Sequence, residues 1–213
     1  SIVLSDCHRL FYNDKLMPTG YLRESISNIN RTDIVVVTKC EEDMKPIDFR
    51  IIEENMKLRA HQLLFFTSIV YGKVKPVFPS KACFLNHKNI GKEDDILLIS
   101  GIAAPAPFIR EAEKYSNKVV PMVFPDHHMF SKSDFKKLEA VFEKMTSSGK
   151  LILVTEKDAA RLKNNPLVPE SWKNFLYYLP IVIQFCNGQS FDETIKKHII
   201  TFSKNNILQN KYE

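Results

Sequence analysis

The chain has 213 residues, 44% hydrophobic and 26% charged, enough to bury a real core as one large domain or two small ones. Six Gly and 11 Pro, with no low-complexity tract and no repeat at a fixed period, exclude collagen-like, linker-rich and solenoid architectures. The formal charge of +5 suits a surface that meets phosphates or anionic headgroups, but the basic residues are dispersed and no aromatic-basic motif accompanies them, so nucleic-acid binding is not expected.

Ile2-Val3-Leu4 opens the chain as a strand and runs straight into Asp6 and Arg9, unlike a signal peptide. A Ser followed at once by a strand-like run suggests an incomplete protein. Leu16 to Glu24 is a Pro/Gly turn delivering Arg23 and Glu24. Arg can clamp a phosphate bidentately and Glu can bind Mg²⁺ directly or through water, although an exposed ion pair uses the same residues. Asp33 to Thr38 (DIVVVT) is a second strand, and its trailing Thr38-Lys39 is read as structural. In His61 to Phe78, Gly72 separates two β-rich runs expected to pair as an antiparallel hairpin. A domain boundary is placed near 81–91.

Asp95 to Ser100 (DILLIS), Val119 to Phe124 (VVPMVF) and Leu151 to Thr155 (LILVT) are apolar throughout, the pattern of parallel strands buried on both faces. Between them lie two helices. One is Pro107 to Ser116. The other starts near Ser131 with a capping-box pattern to Asp134 and then places Phe135, Leu138, Phe142 and Met145 on one face. The resulting βαβαβ unit implies a right-handed parallel sheet. Tyr177 to Phe185 is a further strand region followed by the turn pair Asn187-Gly188, and a basic, partly amphipathic helix starts at Phe191. The fold class is therefore α/β, a mostly parallel sheet with flanking helices plus a linking β-hairpin.

In open α/β sheets ligands sit at the carboxyl ends of strands, which draws attention to Phe124-Pro125-Asp126-His127-His128. His127 could exchange a proton near neutral pH, oriented and charged by a carboxylate partner, or Asp126 could cap a turn with the two histidines as polar loop residues. Thr155, Lys157 and Asp158 stand just past another strand. They could read a nucleotide base or phosphate, and equally they spell a Thr-capped helix start. Ser100 to Pro105 (SGIAAP) follows a strand without G-x-G-x-x-G and is a weak anion-site candidate. Gly72, Gly91 and Gly149 each precede Lys, but none belongs to G-x-x-x-x-G-K-[ST], so this chain contains no phosphate-binding loop. The four cysteines, Cys7, Cys40, Cys83 and Cys186, show no C-x-x-C pair and are read as reduced thiols of a reducing compartment. No apolar run reaches the roughly 18 residues needed to span a bilayer.

Taken in order, SIVLSDCHRLFYNDKLMPTGYLRES from Ser1, NRTDIVVVTKC from Asn30, LISGIAAPAP from Leu98, FPDHHMF from Phe124 and VTEKDAARL from Val154 resemble the tetraacyldisaccharide 4′-kinase family, the lipid A disaccharide kinases. The resemblance implies a P-loop-NTPase-like fold, here truncated. It also implies ATP-dependent phosphoryl transfer to the 4′-hydroxyl of a tetraacyldisaccharide 1-phosphate lipid, with Mg²⁺ as cofactor, at the cytoplasmic face of an inner membrane. By motif match His127 is the catalytic group, paired with an aspartate from the amino-terminal half, and Asp126 is the second candidate. Glu24 acts near Mg²⁺, and Arg23 holds phosphate or substrate. Residues 1–60 would end the amino-terminal kinase core, 61–80 form the hairpin linker, and 81–213 form a carboxyl-terminal α/β domain. Ala104 stands where many relatives are expected to have Asn. The alternative from another class is a free-standing α/β fragment that binds a nucleotide or lipid headgroup without catalysis.

Overall fold

A computed structural model describes residues 1–81, 90–147, 149–186 and 190–209, with side chains to Ile200. Cys83, the Asn187-Gly188 turn and most of the 81–91 boundary lie outside the described residues. The chain divides into two compact units, Ser1–Val70 with Ile183–Glu213, and Tyr71–Val182.

The first unit is built on a four-stranded sheet in the order β1-β2-β3-β9, with β1 Ile2–Asp6, β2 Ile34–Cys40, β3 Leu63–Tyr71 and β9 Ile181–Phe185. β1, β2 and β3 run parallel. The apolar run of β2 is sheathed on both sides, Val35 and Val37 on one face with Phe66, Ile34 and Val36 on the other with Phe65. Between β2 and β3 lies α1 (Pro46–Met56), which has no counterpart among the expected elements. Its apolar signal is diluted because Ile47 and Ile51 face solvent while Ile52 and Met56 face the core. The helix from Phe191 is α5 (Phe191–Gln209). Its first turns pack on this sheet, with Phe65 meeting Phe191 edge-on at 5.1 Å and Phe185 stacking on Phe191 at 4.7 Å. The tail, expected to continue the 81–213 domain, thus packs with the first unit.

The expected hairpin between the two halves of 61–78 is absent. β3 has β2 on one edge and β9 on the other, so neither edge is open to the residues beyond Gly72. Those residues form β4 (Lys75–Pro76), which pairs antiparallel with β8 (Leu176–Leu179) in the second unit.

That unit carries a five-stranded sheet, β4-β8-β7-β5-β6, with β5 Asp95–Ser100, β6 Lys118–Val123 and β7 Lys150–Thr155 parallel to each other and to β8. Ile96, Leu97, Leu98 and Ile99 of β5, an interior strand between β7 and β6, are fully buried. Alternation sends Leu97 and Ile99 toward α3 (Lys132–Glu143) and α4 (Glu156–Lys163), and Ile96 and Leu98 toward α2 (Ala106–Glu113). β6 departs from the both-faces-buried pattern because it is an edge. Val120 and Val123 are exposed, and Pro121, which lacks an N–H for the ladder, is tolerated there.

Three cysteines far apart in sequence, Cys7, Cys40 and Cys186, are free thiols packed around one core of the first unit. Burial pushes the Cys40 thiol up to about 12.

Candidate active site

β5, β6 and β7 end side by side. The connection from β5 leads to β6 on one side and that from β7 leads to β8 on the other, so the crevice between β5 and β7 is the sheet's switch point. Three segments emerge there: Gly101 onward, Pro125 to His128, and the start of α4.

The middle segment is fixed at both ends. At its start, the Phe124 N–H donates to Ser100 O at 2.8 Å. At its end, Ser131 caps α3. The Ser131 hydroxyl accepts the Asp134 N–H while the Asp134 carboxylate accepts the Ser131 N–H at 2.8 Å, the reciprocal box expected from the sequence. His128 clips the loop to this cap. Its Nε2 is 3.0 Å from Asp134 Oδ2, its ring stacks on Phe124 at 4.7 Å, and Phe130 meets it edge-on at 5.3 Å. The Ser131 hydroxyl bond first, then the Ser131 N–H and His128, hold the Asp134 carboxyl down at about 2. His127 lies at the crest of the loop with φ 61, a left-handed conformation in which His is enriched several-fold over most side chains. Its ring is mostly exposed, and its backbone N–H donates to Asp126 Oδ1 at 2.9 Å.

α4 begins at Thr155, whose Oγ1 accepts the Asp158 N–H at 3.1 Å and donates to Asp158 Oδ2 at 2.7 Å. Asp158 is wholly buried. Its Oδ2 also accepts the Gly101 N–H at 2.9 Å, and Arg161 donates to its Oδ1 at 3.3 Å. Gly101 permits this approach, since a Cβ there would lie 3.2 Å from Asp158 Oδ1. One carboxylate thus ties the ends of β5 and β7 together across the switch point. It also occupies the Gly101 N–H that the Ser100–Pro105 loop could have offered an anion. Of the three nucleotide candidates, Thr155 and Asp158 are buried in this cap, while the ammonium of Lys157 is reachable and points at the loop.

Lys157 Nζ donates to Asp126 Oδ1 at 2.8 Å, and this bond is the largest favourable influence holding the Asp126 carboxyl below the usual range. Arg161 NH2 is 3.0 Å from His127 Nδ1. The structure therefore gathers Asp126, His127 and Lys157 and adds Arg161, which the sequence reading did not single out. The available signal was spacing: Lys157 and Arg161 stand at i and i+4 and so share one helical face.

Arg23 and Glu24 belong to the first unit. They line a cleft of about 480 Å³ with Phe11, Leu22 and Ile26. Glu24 Oε2 accepts from Asn28 at 2.9 Å and from Arg31 at 3.1 Å, both on the 3₁₀ turn Ile26–Arg31. Among the described residues no three His, Cys, Asp or Glu side chains converge to hold a metal ion by themselves.

Residues 1–200 match the family described as Tetraacyldisaccharide-1-P 4′-kinase. The chain is 47% identical over 207 residues to the tetraacyldisaccharide 4′-kinase of Parabacteroides distasonis, covering 96% of this chain and 56% of that protein. It is 40% identical over 218 residues to the Bacteroides thetaiotaomicron enzyme of the same name, covering 100% of this chain and 57% of that one. Its fold is similar to a solved structure of LpxK from Aquifex aeolicus in complex with ATP, with a TM-score of 0.54 and 20% identity over 94% of this chain and 51% of that one. The chain spans about half the length of the curated relatives it matches.

Proposed function

Because the chain belongs to the Tetraacyldisaccharide-1-P 4′-kinase family, we propose that it carries one part of the machinery that transfers a phosphoryl group from ATP to the 4′-hydroxyl of a tetraacyldisaccharide 1-phosphate lipid. The observation that carries this reading is the convergence of Asp126, His127, Lys157 and Arg161 at the carboxyl ends of β6 and β7.

Phosphoryl transfer asks for positioning, charge neutralisation and a route for the hydroxyl proton. His127 is the catalytic group in that route, and Asp126 assists it from the neighbouring position. Lys157 and Arg161 bring two cationic heads beside the pair, where phosphate charge would accumulate. Arg23, on the first unit's cleft, is assigned to a substrate or nucleotide phosphate. From this chain Glu24 would hold Mg²⁺, which commonly takes one or two carboxylates and draws its remaining ligands from phosphates and water. That ion, when bound with ATP, supplies charge neutralisation.

The cradle for the ATP phosphates is not a G-x-x-x-x-G-K-[ST] loop of these 213 residues. This observation favours a second reading in which the chain alone binds nucleotide or lipid headgroup without turnover. The meeting with lipid is proposed at the cytoplasmic face of an inner membrane, as for the family; no helix among the described residues is long and apolar enough to cross a membrane. The deciding experiment is transfer of label from ATP to the disaccharide lipid, by this chain and by the full reading frame that contains it. Transfer by the full frame alone supports the kinase reading with a divided site, whereas binding without transfer by either supports the second.

A further inference from the structure

The imidazole of His127 stands between two cationic donors and one carboxylate, and the distances decide which contact sets its proton. Arg161 NH2 is 3.0 Å from Nδ1, whereas Lys157 Nζ is 3.4 Å from Nε2. A guanidinium has donors only, so the nitrogen it bonds must accept. A neutral imidazole offers one acceptor and one N–H, and it cannot accept at both nitrogens. The shorter contact wins. Lys157 is meanwhile held by a 2.8 Å bond to Asp126 Oδ1 and is not committed to the ring.

From this we infer that Arg161 is a positioning residue: it holds His127 in the tautomer with Nδ1 accepting and the proton on Nε2, so that the ring keeps an N–H donor at Nε2. Nε2 lies 3.4 Å from Lys157 Nζ, itself a donor, and 3.6 Å from Asp126 Oδ2, so its proton is consumed by neither. Arg161 itself is oriented from below. Its NH1 donates to Oδ1 of Asp158, which is fully buried and anchored by Thr155 Oγ1 and the Gly101 N–H. A relay therefore runs from the switch-point cap to the exposed ring, from Asp158 through Arg161 to His127. The guanidinium fork spans the two partners with separate nitrogens, a geometry that Lys cannot reproduce.

The inference deepens the proposed function by defining what His127 offers a reacting partner: a hydrogen-bond donor at Nε2, with acceptance at Nδ1 available only when Arg161 lets go. Nitrogen-15 NMR of the imidazole rings in this chain, labelled at histidine and assigned with His127→Ala, reads the tautomer directly and requires no kinase activity. The expected result is the Nε2–H form for His127, lost to a mixture in both Arg161→Ala and Arg161→Met. The Met variant keeps an apolar stem where Ala could loosen the fold, and a thermal melt identifies which variants are folded. An Nδ1–H ring in the parent chain overturns the proposal, as does a tautomer unchanged in whichever folded variant is read. In the full reading frame, Arg161→Met is expected to lower kcat by at least tenfold with the KM for ATP little changed. Absence of transfer by the unsubstituted protein would count against the kinase reading alone and leave the tautomer result standing.

Discussion

Replacing Asp158 by Ala removes the carboxylate that joins β5 to α4 across the switch point. The Gly101 N–H loses its partner inside the protein, at a cost of about 1–3 kcal/mol for a buried donor left unsatisfied. Arg161 loses its anchor as well. Because that side chain is 25% exposed, the loss falls below the roughly 3–5 kcal/mol of breaking a fully buried pair, and a total near 3 kcal/mol is expected. With a urea dependence of about 2 kcal/mol per molar, the unfolding midpoint should fall by about 1.5 M. Trp172 makes this measurable. It is the chain's one tryptophan, buried in the same unit 5.8 Å from Phe135, so its fluorescence follows that unit's unfolding. Asp158→Asn keeps a carbonyl acceptor for the Gly101 N–H and should lose about half as much. A midpoint lowered by less than about 0.3 M in the Ala variant would show that the cap is not what joins these strand ends.

His127→Ala in the full reading frame should lower kcat by about 10²-fold or more, the usual range for a group that handles a proton; unchanged turnover would remove it from the chemistry. Glu24→Gln should raise the Mg²⁺ concentration needed for half-maximal transfer, and an identical titration would leave Glu24 as the partner of Arg31 and Asn28 alone. Asp134 is lowered from 3.8 to about 2 in the folded chain, so its contribution to stability is complete above about pH 4 and is lost as the pH falls through 2. Urea midpoints measured from pH 5 down to 2 should therefore decline less in Asp134→Asn than in the parent, and parallel declines would refute the assignment.

The second unit was legible where burial is two-sided. DILLIS and LILVT became β5 and β7 because a central parallel strand has no polar face to dilute the signal. The Ser131 to Asp134 box was legible because it is local, four residues closed on themselves. The pairing of β3 was hidden because its second neighbour, β9, arrives more than a hundred residues later, and no local pattern around Gly72 announces that. α1 was hidden by exposed Ile47 and Ile51. At the site, the strand-end position drew attention to Asp126 and His127, and VTEKDAARL supplied the facing residues. Which of its side chains turn inward depends on where Thr155 starts the helix, and a one-residue shift would have exchanged Lys157 with Asp158. The sequence offered Thr155 as that start but left open whether these residues cap the helix or read a nucleotide. The meeting of Cys7, Cys40 and Cys186 was likewise invisible, since it depends on three strand ends brought together only by the sheet.

The division of the chain at Val70 and Ile183 bears on the order in which the protein is made. A ribosome releases β1, β2 and β3 before residues 71–182, and β9 joins their sheet only after the whole second unit has emerged. That second unit is one continuous stretch and can close on itself as it appears, as domains do during synthesis. Until β9 arrives, one edge of β3 is uncovered. During that interval, pairing by a second nascent chain is the hazard, and the speed with which residues 71–182 collapse determines how long it lasts.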